Sequence, residues 1–260
     1  MKAPFTVDEV HTLTQLLGRC ASERVILIGA AALGCHVPMT WRRTHDLDLT
    51  IMTDMETAAA ALRAAGLVRD PKVEHRWLAQ CVRLDVLPAT SRDIERKRLV
   101  WPSGAIMSLV GFDLAFAHTL PVPLSATCAI QVPKLPVLAM LKMISWLDAP
   151  HERSRDLLDL GYLLSAYLDD DAARHWDDPR LAAFELDEHS PLALGHDIAE
   201  IAAPHHRERV LAFLDAFSDT GTQAFQQLAS TGRIGHVDRE TTLETRLLRL
   251  RQGVESEPAR

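Results

Sequence analysis

His45-Asp46-Leu47-Asp48-Leu49-Thr50-Ile51 is the stretch on which the fold turns. It alternates and is rich in aliphatic and β-branched residues, so it predicts a strand. In a strand, residues i and i+2 share a face. Asp46 and Asp48 then project together, while Leu47, Leu49 and Ile51 point the other way into a core. Two carboxylates held this close repel unless a positive charge lies between them. A divalent cation with hard oxygen ligands is the usual solution. The alternative is a solvent-facing strand edge whose charges keep it from pairing with a neighbour.

Upstream, Arg24-Val25-Ile26-Leu27-Ile28 is nearly all apolar and ends at Gly29, as suits a central strand. Ala30 to Val37 is helix-prone and stops at Pro38. Residues 40–44 form a polar, arginine-bearing loop that feeds the Asp46 strand. Near the N-terminus, Thr6-Val7-Asp8-Glu9 is a capping box opening a helix with Val10, Leu13, Leu17 and Cys20 on its apolar face.

Downstream, Asp54 caps a helix over 55–65 that Gly66 ends. Strands are expected around 75–80 and 81–87, the second carrying Asp85 in Val82-Arg83-Leu84-Asp85-Val86-Leu87. The run 92–98 is charged and surface-like. Strands at 105–110 and 129–132 flank a helix over 112–118. After about residue 134 the text turns helical: 136–147, 152–168, 192–202, 207–217 and 223–230, punctuated by Pro150, Pro179, Pro191 and Pro204. A last helix is expected over 240–251, with Leu243, Leu247, Leu248 and Leu250 as its apolar side. The expectation is an α+β protein. A mixed β-sheet flanked by helices occupies 1–133, and a C-terminal helical domain is appended over 134–260.

The chain has 260 residues, 47% hydrophobic and 24% charged, enough to bury a sizeable core. A formal net charge of -7 argues against stable duplex-DNA binding, which goes with a basic surface, but leaves room for a local groove that takes RNA or a nucleotide. The four cysteines, Cys20, Cys35, Cys81 and Cys128, lie far apart, which favours buried thiols in a reducing cytosol over zinc or disulfides. No apolar run reaches membrane-span length and no signal peptide is evident, so a soluble cytoplasmic protein without membrane partners is expected. His205-His206 lacks an HExxH frame and reads as surface.

The chemistry-bearing residues follow an order. A strand ends in Gly29, the Asp46/Asp48 pair comes next, Asp85 sits on a later strand, and Lys142 and Arg155-Asp156…Asp159 lie in helices beyond. A strand entering a helix through glycine brings backbone N–H groups and the positive end of a helix dipole toward a phosphate. Paired carboxylates hold Mg²⁺ against nucleotide phosphates, and a third shares a metal or deprotonates the attacking hydroxyl. A lysine offsets polyphosphate charge. Lys142, alone in an apolar helix, either snorkels to solvent or points into a site. Asp156 and Asp159, at i and i+3, either support that lysine or pair with Arg153 or Arg155 at the surface. For Asp85 the alternative is a partner in Arg83, or plain exposure. For Arg42 and Thr44 it is ordinary loop polarity.

The order Gly29, Arg42-x-Thr44-x-Asp46-x-Asp48, then Asp85, resembles the DNA-polymerase-β-type nucleotidyltransferase superfamily. Leu135-Pro136-Val137-Leu138-Ala139-Met140-Leu141-Lys142, followed by Arg155-Asp156-Leu157-Leu158-Asp159-Leu160, narrows the likeness to the AbiEii/AbiGii toxin-type nucleotidyltransferases. The resemblance spans roughly Val25 to Leu164. It implies a nucleotidyltransferase fold and Mg²⁺-dependent (or Mn²⁺-dependent) transfer of a nucleoside monophosphate from an NTP to an acceptor such as tRNA. A separately encoded antitoxin partner is implied as well. Asp46, Asp48 and Asp85 would be catalytic metal ligands. Lys142 would be a catalytic phosphate contact. Gly29, Ala30, Arg42, Thr44, Asp156 and Asp159 would help to bind the nucleotide.

One departure stands out. The superfamily carries Gly-Gly or Gly-Ser at the turn, and here Ala30 follows Gly29, so the phosphate-binding hydroxyl is missing. Two other readings stand beside the toxin-type enzyme, the first from a further likeness of the Arg42-x-Thr44-His45-Asp46-Leu47-Asp48 text and the second from Ala30. One is a nucleotidyltransferase that modifies a small drug of the aminoglycoside or lincosamide kind. The other is a catalytically weakened nucleotide-binding scaffold.

Overall fold

The apolar run after Arg24 forms β1 (Val25–Ile28), and all four of its residues are buried. In the computed structural model, which describes residues 4–40, 42, 44–230 and 239–256, it lies near the middle of a mixed seven-stranded sheet. Trp41 and Arg43, from the loop expected at 40–44, lie outside the described residues. Before β1 runs α1 (Val7–Arg19). Its capping box is formed as the sequence predicts: the Glu9 N–H donates to Thr6 Oγ1 at 3.2 Å, and the Thr6 N–H donates to Glu9 at 2.7 Å.

From β1 the chain enters α2 (Gly29–His36) and returns as β2 (Leu47–Ile51), antiparallel to β1. Asp54 caps α3 (Met55–Ala64), accepting the N–H groups of Glu56 and Thr57 at 2.9 Å each. Three strands follow: β3 (Val68–Arg69), β4 (Arg76–Ala79) and β5 (Val82–Pro88). A short α4 (Ser91–Glu95) leads to a separate hairpin of β6 (Arg98–Val100) and β7 (Ile106–Ser108). After α5 (Phe112–Ala117), β8 (Thr119–Pro123) and β9 (Ala129–Pro133) complete the large sheet in the order β3-β4-β5-β2-β1-β9-β8.

One face of this sheet is the core. Val25, Leu27, Leu47, Leu49, Ile51, Trp77, Leu84 and Val86 pack with Leu13 and Leu16 of α1 and Ala58 and Leu62 of α3. Each such leucine contributes roughly 2 kcal/mol of burial. The alternation that packs these residues sends their alternate neighbours, Asp48, Thr50 and Asp85 among them, to the other face.

The outer strand β8 was missed by the sequence reading, because two prolines in five residues argue against a ladder. Its ladder with β9 is bracketed by the Lys134 N–H donating to His118 O and the Leu124 N–H donating to Cys128 O, both 2.8 Å. Even-numbered residues of β8 therefore face β9. The nitrogens of Pro121 and Pro123 turn to the open side, where no ladder bond is lost.

The chain divides into two compact units, Met1–Leu138 and Ala139–Arg260. The division falls within α6 (Leu135–Asp148). The second unit is helical among the described residues: α7 (Ser154–Ala166), α8 (Arg174–Asp177), a 3-10 turn (Leu186–Glu188), α9 (His189–Ile201), α10 (Pro204–Ala216), α11 (Gln223–Ala229) and α12 (Arg239–Glu255). Helices α9 and α12 touch backbone to backbone. A Cβ on Gly195 would lie 2.4 Å from Leu250 O, and one on Gly253 would lie 2.5 Å from Leu192 O.

Several expectations need correction. Helix α12 runs on to Glu255, and Leu248 is 51% exposed rather than apolar-side. The buried stripe is Leu243, Arg246, Leu247, Leu250 and Val254. His206 is buried, not at the surface. Cys20 and Cys35 are buried thiols as expected, but Cys81 is exposed and Cys128 half-buried. No helix among the described residues is long and apolar enough to cross a membrane.

Candidate active site

Gly29 is the hinge of the site. Its φ of +68° lies in the left-handed region, and a Cβ there would sit 2.1 Å from Asp48 Oδ2. Glycine is demanded twice, by the backbone and by the carboxylate lying against it. From this turn α2 starts with no side-chain cap and no acidic residue in its first turn. Ala30 is buried in that turn.

Asp48 is half-buried on β2. Its Cα partner on antiparallel β1 is Ile28, and its partner on parallel β5 is Asp85. Residues in register on neighbouring strands, about 4.8 Å apart, point to the same face. Asp48 and Asp85 are therefore side by side, with Gly29 beside them.

Asp46 precedes β2, in a bend, so the strand is two residues shorter than the sequence reading made it. Thr44 Oγ1 lies 3.1 Å from Asp46 Oδ1 and 3.2 Å from Asp46 O, and its single proton serves one of them at a time. Arg42 is half-buried in the same loop.

The positive charge that the sequence reading looked for among these carboxylates has a source within the chain. Arg76, the Cα partner of Asp85 on β4, donates Nε to Asp85 Oδ1 at 2.8 Å and Nη2 to Oδ2 at 2.7 Å. His75 Nε2 lies 3.7 Å from the same carboxylate. The bonds from Asp85 hold the Arg76 pKa above its ordinary value, and the nearby charges of Asp46 and Asp70 add to this. Asp46 thus acts on the guanidinium that Asp85 grips. The expected alternative partner, Arg83, is exposed, and Asp85 pairs with Arg76 instead.

Neither Arg76 nor His75 emerged from the sequence. Counting back from a two-residue turn at Gln80-Cys81 places Arg76 opposite Asp85. The turn was legible only as a strand boundary, because Gln80 takes φ +47° without being glycine. The donor set fits a divalent cation: hard carboxylate oxygens on one sheet face, already drawing a cationic group of the chain toward them.

In the helical unit, Lys142 neither snorkels nor opens onto a surface. It is 5% exposed, with Nζ 3.0 Å from Asp156 Oδ1 and 2.6 Å from Asp159 Oδ2. Burial by itself would lower its pKa, but the Asp156 and Asp159 carboxylates outweigh burial and hold it raised. Asp156 and Asp159 thus join Lys142 rather than making the surface pairs with Arg153 or Arg155. The basic-Asp-x-x-Asp stretch of α7 is tied to α6 by an ion triad in which Lys142 and Asp159 are buried and Asp156 is half-buried.

Residues 107–231 match the nucleotidyltransferase AbiEii toxin family, of a type IV TA system. The AbiEii resemblance read from Lys142 and Arg155-Asp156…Asp159 is borne out, since both lie inside the match. The likeness to that nucleotidyltransferase family is carried by residues 107–231. Gly29, Asp46, Asp48 and Asp85 precede the AbiEii match. None of the curated proteins matches the chain. Among solved structures it is similar to an antigenic nucleotidyltransferase-like protein from Paracoccidioides brasiliensis. That pair shares 16% identity at a TM-score of 0.40, over 61% of this chain and 76% of that one. It is also similar to JHP933 from Helicobacter pylori, with 12% identity and a TM-score of 0.39, over 94% of this chain and 90% of that one.

Proposed function

We propose that this AbiEii-type chain transfers a nucleoside monophosphate from an NTP to a hydroxyl of an RNA acceptor, tRNA in particular, and that a separately encoded antitoxin restrains it. Asp46, Asp48 and Asp85 would hold Mg²⁺ or Mn²⁺. The observation that carries this reading is the register of Asp48 and Asp85 on adjacent parallel strands, beside the left-handed turn at Gly29.

When bound, the cation would neutralise charge on the phosphates and on the departing pyrophosphate. The chain supplies the rest. Backbone N–H groups at Gly29 and Ala30, in a first turn of α2 that no side chain caps, would be the donor set for phosphate oxygens. The donors are backbone groups, so Ala30 keeps them although it lacks a hydroxyl. The acceptor hydroxyl oxygen attacks the α-phosphorus, the bond to the bridging oxygen of pyrophosphate breaks, and the hydroxyl proton passes to a carboxylate. Asp85 retains that capacity, because a carboxylate offers about four acceptor positions and Arg76 occupies two of them. The Lys142 triad keeps α6 and α7 in place as support for nucleotide binding.

The test is label transfer from each NTP to total RNA and to a panel of aminoglycosides and lincosamides. Asp48→Asn should lower transfer at least about a hundredfold with unchanged circular dichroism, as loss of a metal ligand does. Label on a drug instead of RNA would replace the acceptor named here. Transfer by Asp48→Asn at the wild-type rate would remove the site.

A further inference from the structure

Arg76, Asp85, Asp48 and Ile28 form one row across β4, β5, β2 and β1, each the Cα partner of the next. The row places a guanidinium in two-point contact with the carboxylate adjoining Asp48. Arginine cannot leave such a contact by losing its proton, because it stays charged at every accessible pH. It can leave only by moving. With its side chain 24% exposed, Arg76 has solvent to move into.

A seated guanidinium also repels any further cation that Asp85 would bind. At contact distance in a partly buried site this repulsion is large compared with the interactions at an exposed surface. Asp46 contributes to the same balance, since its charge acts on Arg76.

We propose that Arg76 is a built-in counter-ion that competes with a divalent cation for Asp85. With Arg76 seated, Asp46 and Asp48 bind one cation. Asp85 joins in metal binding only when the guanidinium swings away. Arg76 is thus a positioning residue that sets when the third carboxylate is available. This rests on the reading of the three aspartates as metal ligands.

The experiment measures Mn²⁺ binding by the full chain, by calorimetry and by paramagnetic resonance, in wild type, Arg76→Met, Arg76→Lys and Asp48→Asn. Arg76→Met should bind Mn²⁺ about tenfold more tightly, or bind one more ion, because a competing charge is gone. Arg76→Lys keeps the charge but loses the two-point fork, so it should fall between. It also carries the test if Arg76→Met does not fold.

Melting in chelator gives a second readout. Arg76→Met should melt lower than wild type without metal and recover on adding Mn²⁺, whereas loss of a merely structural arginine would not be repaired by metal. If Asp48→Asn loses Mn²⁺ while both Arg76 variants bind it no more tightly than wild type, the counter-ion proposal fails and the metal site stands. If Asp48→Asn and wild type are alike in binding no Mn²⁺, the metal reading itself fails, and this proposal with it.

Discussion

Gly29 shows how much a single backbone position can hold. Its left-handed φ and the 2.1 Å approach of Asp48 to a Cβ position make Gly29→Ala costly on two grounds. We expect at least about 2 kcal/mol lost in urea unfolding, together with weaker Mn²⁺ binding, since Asp48 must give way. Unchanged metal affinity with lower stability would show that the turn and the carboxylate are not coupled. At this scale the sequence was legible where chemistry and conformation coincide. Gly29, Asp48 and Asp85 stand out because each residue type is rarely placed there without reason. Arg76 did not stand out, because its meaning depends on a hairpin register that two ordinary residues, Gln80 and Cys81, set.

Among the elements, α6 and α7 are joined through the most exposed-sounding residues in either. Asp159 is fully buried, and Lys142 is the cation that neutralises it. Lys142→Met should destabilise the fold by about 3–5 kcal/mol, because it takes the cation away from the buried carboxylate of Asp159 and the half-buried one of Asp156. Adding Asp156→Asn and Asp159→Leu should return most of that loss in denaturant unfolding. If the triple variant is no more stable than the single one, the triad is not what Lys142 serves. Strands and helices with strong periodicity, such as α1, β1, α3 and α9, were legible. The elements missed include β8 with its prolines, two-residue β3, four-residue α8, and the short α4 and β6 in the charged run. In α12 an arginine occupies the apolar stripe. Arg246 is 7% exposed, its Nε and Nη1 have no hydrogen-bond partner among the described residues, and burial lowers its pKa. No heptad rule assigns such a residue to a core.

The whole molecule should soften in mild acid. Burial lowers the pKa of His36, outweighing its bond to Pro133 O at 2.8 Å. Burial, then His189, lowers that of His175, and burial, then Arg180, that of His196. Each imidazole therefore binds its proton more weakly folded than unfolded. The stability they contribute is present above the unfolded value of 6.5 and is lost as pH falls through the lower folded values. Melting temperature should drop between about pH 7.5 and about pH 5.5 at constant ionic strength, before most carboxylates titrate. A flat or rising profile over that window would contradict it. At this largest scale the AbiEii likeness was legible in the helical stretch, through Lys142 and the Asp156–Asp159 pair, which lie inside the matched residues. The chemistry proposed for the sheet rests on the spacing and register of its aspartates, which lie before the matched residues.

The prolines of β8 bear on how this sheet meets other molecules. At Pro121 and Pro123 the outer flank offers no donor to an incoming chain, and the opposite flank, β3, is only two residues long. Both borders are thus poor templates for lengthening the sheet, which disfavours edge-to-edge pairing there. A partner that meets the large sheet at these two borders does so through side chains rather than by adding a strand.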